Sequence, residues 1–333
     1  MKIGMPRGLL YFHYGALWET FLTELGLEVV TSPPTNKRIL DLGVKNCVDD
    51  ACLPVKLFHG HVEFLKGKVD YIFIPRIVSI KQWEYICPKF CGLPEMVKNT
   101  IKDMPKMLLL EHNLHKPRSN FIKGFYQLGA SLGFNMKQIK NSYRKAVQSQ
   151  STFEEQCKMG VIPWYFNKAS LKVSKNREHT ITIALIGHPY VLYDHYANMN
   201  IISKLQQRGI RVITPEMVLE REIDKHAGML SKPMFWSFGR KLYGASMYYV
   251  KDFSVDGVIY LSAFACGIDS LIAELAERKI RRETNIPIAL FNIDEHTGEA
   301  GMNTRLDAFI DMVIRRKEHE NNLSTHGKYI YSC

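Results

Sequence analysis

Cys47-Val48-Asp49-Asp50-Ala51-Cys52-Leu53-Pro54 and Cys87-Pro88-Lys89-Phe90-Cys91-Gly92-Leu93-Pro94 bracket the run Val69-Asp70-Tyr71-Ile72-Phe73-Ile74-Pro75. The run is short, apolar and closed by proline, and reads as a buried strand. Four of the seven cysteines thus fall into two tight pairs on either side of one strand. A fifth, Cys266 in Ala263-Phe264-Ala265-Cys266-Gly267-Ile268-Asp269-Ser270, again follows an apolar run. Thiolates gathered at strand ends from separate parts of a chain are the soft ligand set that iron–sulfur clusters use.

Upstream, residues 2–5 read as a first strand and Pro6-Arg7-Gly8 as a turn. An amphipathic helix is expected from about Tyr14 to Leu25, with Leu17, Phe21, Leu22 and Leu25 on one face. Gly26 ends it, Leu27–Thr31 is a second strand, and Pro33-Pro34 precedes a helix near Lys37–Leu42. This β-α-β-α alternation predicts a parallel sheet covered by helices. Pro54 suits the first turn of a helix over Pro54–Leu65. A cysteine at such an N-terminus is expected to have a lowered pKa. The second pair reads as irregular chain, because Pro and Gly are frequent there, and Met107–Leu110 as another strand.

From His115 to about His179 long polar helices around Ser119–Leu132 and Met136–Gly160 read as a connector. Cys157, in that charged helical setting, reads as an ordinary packed thiol. A second α/β unit opens at Thr180–Gly187 and runs through His188-Pro189-Tyr190-Val191-Leu192-Tyr193-Asp194 into a helix ending near Gly209. Ile210–Pro215, Val255–Leu261 and Ile286–Asp294 supply further strands. Ser270–Arg278 and Asn303–Arg316 supply helices, the last with Leu306, Phe309, Ile310 and Val313 on one face. The expected class is α/β, two doubly wound Rossmann-like parallel-sheet domains with a cluster in the cleft between them. The expected divisions are 1–114, a helical connector 115–179, 180–320, and a polar tail 321–333 in which Cys333 is unliganded.

A chain of 333 residues with 46% hydrophobic content has material for two cores. The net charge of +11 is spread out and carries no nucleic-acid-binding motif. It suits an acidic partner protein or a phosphorylated ligand equally well, so a nucleic-acid role is not expected. No apolar run approaches the roughly 20 residues of a membrane span. Met1–Pro6 leads directly into a strand, so a cytoplasmic protein is expected. There, clustered thiols bind metal or do redox chemistry rather than form structural disulfides.

The residues then carry a resemblance. Asp50–Lys56 with His59-Gly60-His61, Asp70–Arg76, Gly187–Tyr190 with Tyr193-Asp194, Phe264–Ser270, and Asp294-Glu295-His296-Thr297-Gly298-Glu299-Ala300-Gly301 are similar to the 2-hydroxyacyl-CoA dehydratase component family. The chain most resembles the cysteine-rich domain of long activase-related proteins of that group. The resemblance covers both halves but not the connector. It implies Rossmann-like domains holding one [4Fe–4S] cluster, on which Cys52, Cys87 and Cys266 match the ligand positions. It also implies a low-potential electron delivered by a separate actin-like ATPase activator with its own cluster. Cys47 and Cys91 are additional, and either could provide a fourth thiolate. No Gly-x-x-x-x-Gly-Lys-[Ser/Thr] loop is present, so the ATPase must be a partner.

Alternatives remain open on sequence alone. Two pairs spaced C-x₄-C and C-x₃-C suit a zinc-stabilised binding protein without Cys266. A non-catalytic electron carrier or assembly partner fits the same thiols as a reductase or dehydratase-type subunit acting on a small or CoA-linked substrate. His59 and His61 lie two apart on a helix, do not share a face, and read as packing groups. His188, Tyr190 and Asp194 after a strand, and Glu295, His296 and Glu299 after another, are candidate substrate-facing groups or ordinary loop residues.

Overall fold

The computed structural model describes residues 1–115, 121–161 and 181–321. The Cys333 tail and the residues between 161 and 181 lie outside that range. Eight strands form two four-stranded parallel sheets. The first contains β1 (Lys2–Met5), β2 (Glu28–Thr31), β3 (Tyr71–Ser79) and β4 (Lys106–Asn113) in the order β2-β1-β3-β4. The second contains β5 (Thr182–Ile186), β6 (Arg211–Ile213), β7 (Gly257–Ala263) and β8 (Ile288–Ile293) in the order β6-β5-β7-β8. The two orders are equivalent, so the halves repeat one topology, as their patterning suggests. In each, the winding reverses between the first and third strands, where ligand crevices of α/β sheets open beyond the carboxyl ends.

β5 and β7 read as continuous apolar runs because both of their faces are covered. Along β5, Ile183 and Leu185 enter one apolar cluster while Ala184 and Ile186 enter another. The first of these clusters continues from the β1–β4 sheet through to Phe291, Leu306 and Val313, so one core spans the two halves.

Helices α1 (Tyr11–Glu24), α2 (Lys37–Lys45) and α3 (Leu53–Leu65) surround the first sheet. The expected α1 face is fully sequestered: Leu17, Phe21, Leu22 and Leu25 are all buried. α4 (Pro88–Thr100) corrects the expectation of irregular chain around the second cysteine pair. Pro88 starts this helix, and Pro94 sits inside it without a backbone donor. The helix persists because Phe90, Leu93, Val97 and then Ile101 recur at helical spacing and are buried. Apolar periodicity here outweighs Gly92 and Pro94.

α5 (Ile122–Ser131) and α6 (Met136–Lys158) are the two polar helices expected from sequence. Asn135 and Gln138 close a reciprocal capping box that starts α6. α6 lies along α1, with Gln150 Nε2 donating to the His13 carbonyl and Lys145 pairing with Glu24. The second half carries α7 (Pro189–Leu192), α8 (Ile201–Gln207), α9 (Glu220–Ala227), α10 (Ser237–Tyr248), α11 (Gly267–Glu283) and α12 (Glu299–Asn321). A π-helical turn at Tyr249–Phe253 follows α10. α9 and α10 have no counterpart in the sequence reading. Among the described residues, no helix is long and apolar enough to cross a membrane.

Candidate metal centre

Cys52, Cys87 and Cys266 occupy one structural position three times over. Each is the N-cap of a helix, of α3, α4 and α11 respectively, and none uses its side chain to cap that helix. The positive ends of three helix dipoles accompany the thiols. The loops that carry them differ in how they are fixed. α3 is held by a close crossing with α2, where Gly43 and Gly60 let the backbones meet. The Cys87 loop is pinned to the second half, since Tyr85 N–H donates to the Phe235 carbonyl and Ser237 N–H donates to the Tyr85 carbonyl. Before Cys266, Ala265 adopts φ +63°, a left-handed conformation rare for a residue with a Cβ.

The three thiols lie close enough to bear on one another's charge. Burial pushes the Cys87 thiol up, and the Cys52 thiol adds to this. Cys266 is pushed up to about 12 by burial, then by the Asp269 carboxylate, then by Cys52 and Cys87. Cys52 is also raised by burial, against the charge and hydrogen bond of Lys89. The expectation that a helix N-terminus would lower the Cys52 pKa is thus corrected, because desolvation dominates. A half-buried set of mutually repelling thiols becomes favourable as thiolates only when a cationic core sits among them.

Tyr190 is the residue common to all three. Its hydroxyl is pushed well above the usual range by burial, followed by Cys266, Asp269, Cys52 and Cys87, and so stays protonated. Its ring stacks on His188 at 4.9 Å and meets Phe90 edge-on at 6.1 Å. Burial holds His188 neutral, with Asp269 opposing. His188, Cys266 and Asp269 place ligand atoms within 4.8 Å of one another, and Tyr260 OH donates to Asp269 at 2.7 Å. Asp269 was not singled out from sequence. The first-turn position of Asp269, three residues past Cys266, was the available signal.

The other candidates are distributed differently. Cys47, between α2 and α3, is half-buried and feels Lys56, Cys52 and Lys89. Cys91 lies one helical turn beyond Cys87, and its carbonyl accepts from Arg76 at 3.0 Å. Cys157 is buried, and burial with Glu216 pushes its thiol to about 12, in keeping with a packed group. Glu295 pairs with Lys56, and His296 is exposed. Asp194 is buried in a network of its own. Its Oδ1 accepts from the Tyr196 and Ala197 amides, and its Oδ2 accepts from the Thr35 hydroxyl. That hydroxyl accepts from His61 Nε2, whose Nδ1 accepts from Ser32 Oγ, which in turn accepts the Arg7 amide. The Ser32 hydroxyl has its proton free for Nδ1, so His61 is the Nε2–H tautomer. His61 is accordingly a packing group. His59 is another, with Nδ1 2.8 Å from the Val55 carbonyl.

Residues 2–218 match the family described as CoA enzyme activase uncharacterised domain, and residues 141–313 match 2-hydroxyglutaryl-CoA dehydratase, D-component. The chain belongs to the 2-hydroxyacyl-CoA dehydratase and activase-related family. No curated protein matches it. Together the two matched stretches span Cys52, Cys87 and Cys266. Membership in this family places the chain among dehydratase-type proteins.

Proposed function

We propose that this chain holds one [4Fe–4S] cluster on Cys52, Cys87 and Cys266 and works as a 2-hydroxyacyl-CoA dehydratase-type reductive subunit. The observation that carries the reading is the convergence of three uncapped cysteines from three separate loops around Tyr190. When bound, such a group supplies one-electron chemistry at a potential set by charge, hydrogen bonding and exposure. The chain's own residues supply the surroundings. Lys89 hydrogen-bonds the Cys52 sulfur, and helix N-termini add positive potential. Phe90, Tyr190 and His188 form an aromatic wall that excludes water. Tyr190 keeps a hydroxyl proton available in that wall. Cys47, whose thiol feels Cys52, is our candidate for a fourth thiolate.

The partner in this reading is a separate actin-like ATPase with its own cluster, which supplies the electron. The net charge of +11 would steer an acidic partner, an attraction that weakens as salt rises. Anaerobically isolated protein should contain about four irons and four acid-labile sulfides per chain. Stoichiometric zinc without sulfide would overturn the reading in favour of a structural site. Adding activator, reductant and ATP should change the EPR spectrum beyond what reductant alone achieves. Full reduction by reductant alone would leave the electron-carrier role.

A further inference from the structure

A cavity of about 390 Å³ lies between the two halves, beyond the carboxyl ends of β3 and β6 and bordered by α1, α6 and α10. Of the cysteines, Cys157 lines it, and Cys52, Cys87 and Cys266 do not. Phe238 separates the cavity from these three, meeting His13 on the cavity side and His188 on the other, each edge-on at 5.8 Å. The volume is at the lower end of small-molecule sites, which suits a metabolite and is too small to admit a coenzyme A thioester whole.

The first turn of α10 forms part of the wall. This helix has 12 residues, and its N-cap, Trp236, offers no side-chain bond. The Ser237 amide is used by Tyr85, and no acceptor meets the Phe238 and Gly239 amides among the described residues. The Ser237 hydroxyl is buried and has no hydrogen-bond partner. A buried polar group left this way is costly, and it lines this cavity. The His13 ring, held neutral by burial, also lines the cavity and makes no hydrogen bond among the described residues.

The lining charges are four cations and three carboxylates. Each carboxylate already has a partner. Glu216 is held by Lys241 at 3.2 Å and Tyr193 OH at 2.6 Å, Glu220 by Arg240 at 2.5 Å, and Glu154 by Gln150 at 3.0 Å. Lys158 meets no carboxylate at ion-pair distance among the described residues. The groups open to an anion are a helix N-terminus, the Ser237 hydroxyl, the N–H of the His13 ring and the Lys158 ammonium, while Glu216 Oε1, which makes no hydrogen bond, faces the Lys241 charge. Opposite them, Phe153 and Phe238 present apolar surface.

We propose that this cavity binds a small monocarboxylate with an apolar body, its oxygens on the α10 N-terminus and Ser237 and its body against the phenylalanines. The site does not depend on the cluster. Calorimetric titration of the full chain with butyrate, benzoate, inorganic phosphate and coenzyme A tests it, with the metal-depleted chain in parallel. Butyrate or benzoate should bind once per chain with Kd of about 1 mM or tighter, with or without metal. Ser237→Ala removes only an unpartnered hydroxyl and should weaken binding about tenfold at unchanged melting temperature. Lys158→Gln should weaken it several-fold. No heat from either carboxylate, binding of only phosphate or coenzyme A, binding only in metal-loaded protein, or wild-type affinity in both variants would each overturn the proposal.

Discussion

Lys56 on α3 and Glu295 after β8 form an ion pair between the two halves, with side chains only 4% and 15% exposed. Burial pushes the Glu295 carboxyl up, but the Lys56 hydrogen bond and charge, with a backbone bond, leave it below its ordinary value. Removing one partner strands the other as a buried charge, so Glu295→Ala should destabilise the chain by about 3 kcal/mol. Lys56→Met with Glu295→Leu should recover most of that loss, because desolvation then disappears with the charges. The depressed folded pKa means that the pair's contribution is complete above the unfolded carboxylate value near pH 4.3. It is lost as pH falls through the lower folded value. Urea midpoints of the three proteins at pH 7 and below pH 4 check both statements.

Gly60 on α3 faces the Ile39 carbonyl of α2 so closely that a Cβ would fall on its oxygen. Gly43 stands the same way against the Lys56 carbonyl. Gly60→Ala should force the helices apart, at a cost of about 1–3 kcal/mol, and shift the α3 N-cap that carries Cys52. Iron content should fall with it more steeply than in Gly92→Ala, where a Cβ meets open space. Equal iron retention in the two variants would separate the α2–α3 crossing from the metal site.

His112 stacks on Phe121 at 3.9 Å, and its Nε2 is buried without a partner. Burial lowers its pKa to about 4, and burial lowers His13 and His61 to about 3. Unfolded histidines protonate near pH 6.5, so below that pH the unfolded chain binds protons that the folded one refuses. Stability should therefore fall from pH 6.5 towards 4, by about 1.4 kcal/mol per pH unit for each of the three rings. His112→Phe keeps the ring stack and removes the orphaned nitrogen. It should raise stability at pH 7 by about 1 kcal/mol and take one proton out of the acid slope. An unchanged slope in denaturant titrations from pH 7 to 5 would count against the neutral assignment.

The fourth thiolate can be assigned by substitution. Cys52→Ala, Cys87→Ala and Cys266→Ala should each lose the iron–sulfur absorbance and iron. Cys157→Ala should keep both, since that thiol packs against Glu216 rather than other cysteines. Between the remaining two, Cys47→Ala should perturb the EPR spectrum and Cys91→Ala should not. The reverse result would move the fourth position onto α4.

Several parts of this fold were legible without coordinates. Strands buried on both faces are continuous apolar runs, so β5 and β7 declare themselves, and the β-α alternation sets a parallel sheet. The cysteines at strand-to-helix junctions likewise marked the candidate site. What local patterning misjudged was α4, where Pro94 and Gly92 suggested loop while Phe90, Leu93 and Val97 formed a buried face. α9 and α10, which pack on each other, were not read from sequence.

The site itself divides in the same way. Residue type alone made Cys52, Cys87 and Cys266 ligand candidates, because thiolates are soft ligands wherever they stand. Only the tertiary structure decided that all three bear on the Tyr190 hydroxyl, and that Asp194 lies in a separate network with Thr35 and His61. It also decided that burial outweighs the helix dipole at the thiols. The reason is that desolvation and Coulomb interactions depend on distance in space and on exclusion of water. Spacing along the chain encodes neither once the two halves close over a shared core.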